Sequence, residues 1–173
     1  MKLITVEEHY DTNQNINQFN KYSEVKNNNP RQDQLRPDLV DFSNKIAYMD
    51  KNGIDMQVIS DAGNSPQVLP DQYAVSGAHD QNETLAENIS KYPDRFAGLA
   101  TLPANVPDKA AEELEYAVTK LGMKGGIISG SINGQFLDDP KFEAIFAAAD
   151  KLGTTLYLHP GVISNDQKAM LYD

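Results

Sequence analysis

The chain contains no cysteine. Disulfides, thiolate metal ligands and cysteine nucleophiles are excluded together, so any metal must be held by histidine and carboxylate. Positive charge is also in short supply: 15 Lys and Arg stand against 25 Asp and Glu, for a formal net charge of -10. With no local Lys/Arg cluster, that balance repels a phosphate backbone and sets nucleic acid aside as a partner. No apolar run approaches the roughly 20 residues needed to cross a bilayer. The opening apolar run at residues 3–6 gives way to Glu7 and Glu8 too soon for a secretion signal. A soluble, cytoplasmic protein with no membrane partner is the expectation. Histidine is scarce as well, with three in the chain, which makes the position of each informative.

What is present suits one domain. A length of 173 residues and an apolar fraction of 40% provide one core of ordinary size, so residues 1–173 read as a single unit. Residues 3–6 form a short β-branched strand that runs straight into Glu7 and His9. Residues 11–36, rich in Asn and Gln, show little apolar period and are predicted as one long polar loop. From Pro37, Leu39, Phe42, Ile46 and Met49 recur at helical spacing until Asn52-Gly53 stops the helix.

Further strands are predicted over 54–60, 96–102, 125–129 and 154–158. Helices fall between them: one ending near Tyr92, one starting at Pro107 with Ala110, Leu114 and Ala117 on its inner face, and one capped by Asp138-Asp139-Pro140. Such alternation implies right-handed crossovers and a parallel sheet covered by helices. Five strands can complete an open doubly wound sheet, whereas a closed barrel needs eight strands and about 250 residues. Length favours the first architecture and the site chemistry the second.

Strand alternation places Glu7 and His9 on one face and Glu8 on the other. His159 holds the equivalent place after the fifth strand, at the carboxyl rim where parallel α/β folds build their sites. Two imidazoles and a carboxylate suit catalytic Zn²⁺, which is expected first, and Mn²⁺ would accept the same donors. Such an ion lowers the pKa of bound water to about 7 or polarises a substrate oxygen. His79, among Asp80, Gln81, Asn82 and Glu83, reads as part of a solvated helix face, and Glu8 as a helix-contacting or surface carboxylate. The run from Gly122 to Gly126 matches neither phosphate-loop pattern and reads as a helix stop before a tightly packed strand. Asp61, Asn64 and Ser65 follow the second strand, and Ser129, Ser131 and Asn133 the fourth; of the polar residues at these strand ends, Ser60 and Asn133 are the candidate substrate contacts.

Five segments taken in order resemble one family. Val6-Glu7-Glu8-His9-Tyr10, Met49-Asp50-Lys51-Asn52-Gly53-Ile54, Tyr92-Pro93-Asp94-Arg95-Phe96, Ala100-Thr101-Leu102-Pro103 and Leu156-Tyr157-Leu158-His159-Pro160 are similar to the amidohydrolase-related metal-dependent decarboxylases and hydrolases. That family is typified by γ-resorcylate and aminocarboxymuconate-semialdehyde decarboxylases. The resemblance implies a TIM-type (β/α) barrel, here truncated after about five β/α units, with Glu7, His9 and His159 at metal-ligand positions. It further implies a histidine after the sixth strand and an acid/base aspartate after the eighth, neither of which has a counterpart before Asp173.

The implied activity is non-oxidative decarboxylation of a small aromatic or unsaturated carboxylic acid, with hydrolysis as the alternative chemistry. A non-catalytic metal-binding or self-associating fragment is the alternative outside enzymology. Arg31 or Arg36 reaches an anionic substrate only if the long loop folds over the rim, and Arg95 reads as structural. A wall cut after its fifth strand leaves two unpaired edges, so a homo-oligomer is expected.

Overall fold

A computed structural model of the chain describes residues 1–23, 30–61 and 65–160, residues 30–33 by backbone only. Strand β1 (Ile4–Tyr10) is followed by helices α1 (Asn13–Tyr22), α2 (Pro30–Val40) and α3 (Phe42–Asn52), then strand β2 (Met56–Asp61) and helix α4 (Asp71–Lys91). The third strand is split at Leu99 into β3 (Phe96–Gly98) and β4 (Ala100–Thr101). Helix α5 (Pro107–Thr119), strand β5 (Gly125–Ser129), the short strands β6 (Ser131–Ile132) and β7 (Gln135–Phe136), helix α6 (Glu143–Leu152) and strand β8 (Thr155–His159) complete it.

All the long pairings are parallel, β1 with β2, β2 with β3, β4 with β5 and β5 with β8. The split at Leu99 does not interrupt the wall. Leu99 N–H donates to the Ile59 carbonyl at 2.9 Å, and Lys124 N–H to the Gly98 carbonyl at 2.9 Å, so the third strand joins its neighbours on both sides. Strand order therefore follows chain order. A doubly wound sheet reverses its order at a switch point, and no reversal occurs here.

Curvature settles the architecture. Strands four places apart in a flat sheet lie about 19 Å apart, at about 4.8 Å per step. Yet Tyr157 Oη, on the last strand, donates to Glu7 Oε2, on the first, at 2.8 Å. The wall curls as a (β/α) barrel does, and these are the first five strands of one. Among the described residues no helix is long and apolar enough to cross a membrane.

The core lies between this wall and its helices. Tyr10, Met49, Leu85, Leu114, Phe142 and Ile145 are all fully buried there. Phe42 and Phe96 meet edge to face with ring centroids 5.3 Å apart. Helix α4 is clamped to the wall by polar contacts. Asn82, fully buried, donates to the Thr101 carbonyl at 2.9 Å and accepts from the Thr101 N–H at 2.8 Å. Tyr10 Oη donates to the Gln81 carbonyl at 2.9 Å.

Two stretches differ from expectation. The polar stretch predicted as a loop over 11–36 holds α1 and the start of α2. Thr12 caps α1 by accepting from Asn15 N–H at 3.0 Å, and Ile16 and Phe19 are its buried apolar residues. That pair, one turn apart, is too sparse to register as a period, but it is enough once α4 lies beneath it. The helix expected from Pro37 is two helices. Asp41 breaks the run and caps α3, accepting from Ser43 N–H at 2.8 Å, while Pro37 lies inside α2. The asparagines at 27–29 lie outside the described residues.

The glycine-rich run behaves as read. Gly122 has φ +75 beyond α5, and a Cβ on Gly125 (φ +152) would lie 2.0 Å from the Thr155 carbonyl oxygen. Only glycine lets β5 and β8 pair at that point.

Candidate metal centre

Glu7 and His9 reach the site through an irregular strand. Between the pairs Thr5–Gln57 and Glu8–Ile59 the register shifts, so that two residues of β1, Val6 and Glu7, stand opposite one of β2. Glu7 sits at φ 63, in the left-handed region. A β-bulge re-aims its side chain. The convergence expected from plain alternation is thus observed, but the bulge delivers it. Glu8 turns to the outer face, lining a separate cavity with Lys45, Tyr48 and Gln57.

The three expected ligands come together. Glu7, His9 and His159 each offer one donor atom, all within 4.8 Å of one another. Ligands about 2.0–2.1 Å from a tetrahedral centre are about 3.4 Å apart. His159 Nε2 and Glu7 Oε1, at 3.5 Å, already have that spacing, and His9 needs only a small side-chain adjustment to join them. The His9 and His159 rings meet edge to face, centroids 6.0 Å apart. The donor set fits a divalent cation.

Each candidate ligand is held from behind. Tyr157 Oη donates to the second oxygen of Glu7, leaving Oε1 for a metal. His159 Nδ1 lies 3.0 Å from the Pro160 carbonyl, an acceptor only; the tautomer protonated at Nδ1 fits that contact and would present the Nε2 lone pair to a metal. Ser60, buried, places Oγ 3.4 Å from His9 Nδ1. Ser60, expected as a substrate contact, therefore stands against His9. Burial first, and the neighbouring His159 second, hold His9 below the ordinary imidazole value, so it stays neutral and able to ligate.

Beside His159 opens a cavity of about 150 Å³ whose walls include Asp61, Ser65, Gln67, Val68, Ile127 and Ser129. An apolar cavity of about 150 Å³ accepts a benzene ring. Asn133 is elsewhere. It lies exposed at the tip of the β6–β7 hairpin with φ 50, followed by Gly134 at φ 78. Asn-Gly with both φ positive is ordinary two-residue hairpin chemistry. Asn64 and the side chain of Arg31 lie outside the described residues, and Arg36 lines a different groove with Asn13 and Asn44.

Arg95 is structural: it pairs with Asp50 at 2.8 Å and donates to the Ile54 and Asp55 carbonyls. His79 is half-exposed as expected but is partnered across helices, with Nδ1 3.1 Å from Glu113. Tyr157 and Gln67 had no assigned role in the sequence reading. For Tyr157 a clue was present, since a residue two before His159 on a strand shares its face.

The amidohydrolase family model matches residues 10–171, and the chain belongs to that family. The match begins just after His9, so the geometry above is what places Glu7 and His9 in the site. Among relatives, γ-resorcylate decarboxylase of Rhodococcus jostii (strain RHA1) is 34% identical over 152 residues, covering 82% of this chain and 46% of the relative. The 2-amino-3-carboxymuconate-6-semialdehyde decarboxylase of Dictyostelium discoideum is 32% identical over 120 residues, 67% of this chain and 33% of the relative. A solved dihydroxybenzoic acid decarboxylase from Polaromonas sp. JS666, with bound manganese and the inhibitor 2-nitroresorcinol, superposes with a TM-score of 0.81 at 28% identity, covering 100% of this chain and 53% of that one. The chain spans about half the length of these relatives or less.

Proposed function

We propose that this chain carries the metal-binding part of a non-oxidative decarboxylase acting on a small aromatic carboxylic acid. The observation that carries the reading is the convergence of Glu7, His9 and His159 from opposite ends of the wall, beside a ring-sized cavity. The ion they would hold is Zn²⁺ or Mn²⁺, whose chemistry when bound is that of a Lewis acid toward the substrate's carboxylate and a neighbouring oxygen.

The chain's own residues position the ion and the ring. Tyr157 and Ser60 fix the ligands, while Val68 and Ile127 give the cavity apolar walls for an aromatic ring. In the reaction the bond between ring carbon and carboxylate breaks, carbon dioxide leaves, and the electron pair left on the ring carbon takes a proton. The resemblance assigns that proton to an aspartate after an eighth strand, which has no counterpart among these five.

The partner is therefore a small carboxylic acid, and we further propose that copies of the chain associate through the edges of β1 and β8. Product analysis tests the activity. The chain, and the same reading frame with any continuation its gene encodes, are supplied with Mn²⁺ or Zn²⁺ and hydroxylated benzoates. Release of carbon dioxide with formation of the matching phenol supports decarboxylation. Turnover of esters or amides with no carbon dioxide release would replace it with hydrolysis.

A further inference from the structure

We infer that Gln67 reads a hydroxyl group on the ring of the bound acid; this rests on the function proposed above and adds the feature of the substrate that the site selects. Gln67 belongs to a 3₁₀ turn, Pro66–Val68, between β2 and α4. The turn is closed by Leu69 N–H donating to the Pro66 carbonyl at 2.8 Å, and its first residue is buried. The side chain is 5% exposed. Its Nε2 donates to Ser129 Oγ, and Ser129 pairs with His159 in the wall. Its Oε1, buried, has no hydrogen-bond partner.

A buried amide oxygen without a partner costs free energy unless something occupies the site. Gln67 lines the cavity that His159 also lines, and a ligand in that cavity is the partner we assign to it.

The chemistry of that partner is narrow. An amide oxygen needs a donor, which excludes a carboxylate. If the amide lay the other way round, with Ser129 donating to its oxygen, the unpaired atom would be the nitrogen, which needs an acceptor. A hydroxyl satisfies either orientation, because it donates and accepts. Asp61, on the same cavity wall and 5% exposed, disfavours an anion in either case. The carboxylate of the acid therefore goes to the side of Glu7, His9 and His159, and the hydroxyl to the side of Gln67. The rigid turn, tied to the strand that flanks His159, fixes the distance between the two subsites.

Two-dimensional NMR of the Zn²⁺-loaded chain tests this with 2,6-dihydroxybenzoate and with 2-hydroxybenzoate, which both offer the ion a carboxylate and a neighbouring oxygen and differ only in the second hydroxyl. The side-chain amide resonances of Gln67 should move with the first and stay in place with the second. The first should bind about tenfold more tightly, the scale of one net hydrogen bond. Gln67→Leu should bind the two acids alike.

A preference that survives in Gln67→Leu, or Gln67 resonances that ignore the second hydroxyl, overturns the inference while leaving the proposed function intact. If the parent binds neither acid, the proposed function falls and takes the inference with it. Should Gln67→Leu fail to fold, the resonances of the parent decide the matter alone.

Discussion

Glu7 serves two partners at once. One oxygen faces His159 at 3.5 Å, the other accepts from Tyr157 at 2.8 Å, and its backbone sits at φ 63. A left-handed conformation costs a side-chain-bearing residue about 1–2 kcal/mol, and the gain is a carboxylate aimed at the two imidazoles. Tyr157→Phe should keep the fold and weaken metal affinity about 10–100-fold, the usual effect of losing a group that orients a ligand. Titration calorimetry with Mn²⁺ checks it.

His9 provides the pH dependence. Its folded-state value lies below the ordinary 6.5, so the unfolded chain binds that proton more readily. Its contribution is present above about pH 6.5 and is lost as the pH falls through the range below it. The melting temperature of the metal-free parent should drop on acidification from pH 7.5 to pH 5 more steeply than that of His9→Gln; equal slopes would contradict the assignment. The three candidate ligands were legible because acidic and imidazole side chains at strand ends are conspicuous. Tyr157 and Gln67 were not, since a tyrosine in an apolar strand reads as core and a glutamine in a loop as solvent-facing. Their roles exist only across contacts that span the fold.

Strands and helices were legible in proportion to their apolar period. Helices α3, α5 and α6 carry clear stripes and stops, such as Gly53 at φ 66 and Gly153 at φ 62. Helix α1 depends on two apolar residues and a threonine cap, and so read as loop. The β1 bulge left no trace either, because the residue at positive φ is a glutamate rather than the glycine that usually marks such a place.

Asn82 looked like part of a polar face and is instead the clamp between α4 and the third strand. The pairing of β5 with β8 carries His159 to the site, and Gly125 permits it. Gly125→Ala should destabilise by about 3 kcal/mol, the upper range for an overpacked contact, and should weaken metal binding with it. Gly134→Ala, at φ +78 with nothing within 4 Å, should cost about 1–2 kcal/mol and leave metal binding unchanged. Chemical denaturation of the two variants, followed by metal titration, separates these outcomes.

At the scale of the whole molecule, a wall of five parallel strands brings its first and last strands together at their carboxyl ends. Among the described residues β1 and β8 each pair on one side only. Ile4, Val6 and Leu158 are at least half-exposed, at 50%, 61% and 55%. An unpaired strand edge recruits other strands, and β8 carries no Asp, Glu, Lys or Arg to blunt its own. Light scattering at micromolar concentration should find a dimer or larger species, and a stable monomer would count against association through these edges. The choice between open sheet and barrel was not legible from element order, which both share; it needed the curvature that sets Tyr157 against Glu7.

The central claim is that Glu7, His9 and His159 hold one divalent ion. Electron paramagnetic resonance of free Mn²⁺ during titration into the chain measures this directly, because bound ion leaves the free-ion signal. The parent should bind one ion per chain and His159→Gln none. A parent that leaves all Mn²⁺ free, or a variant that binds as the parent does, would contradict it.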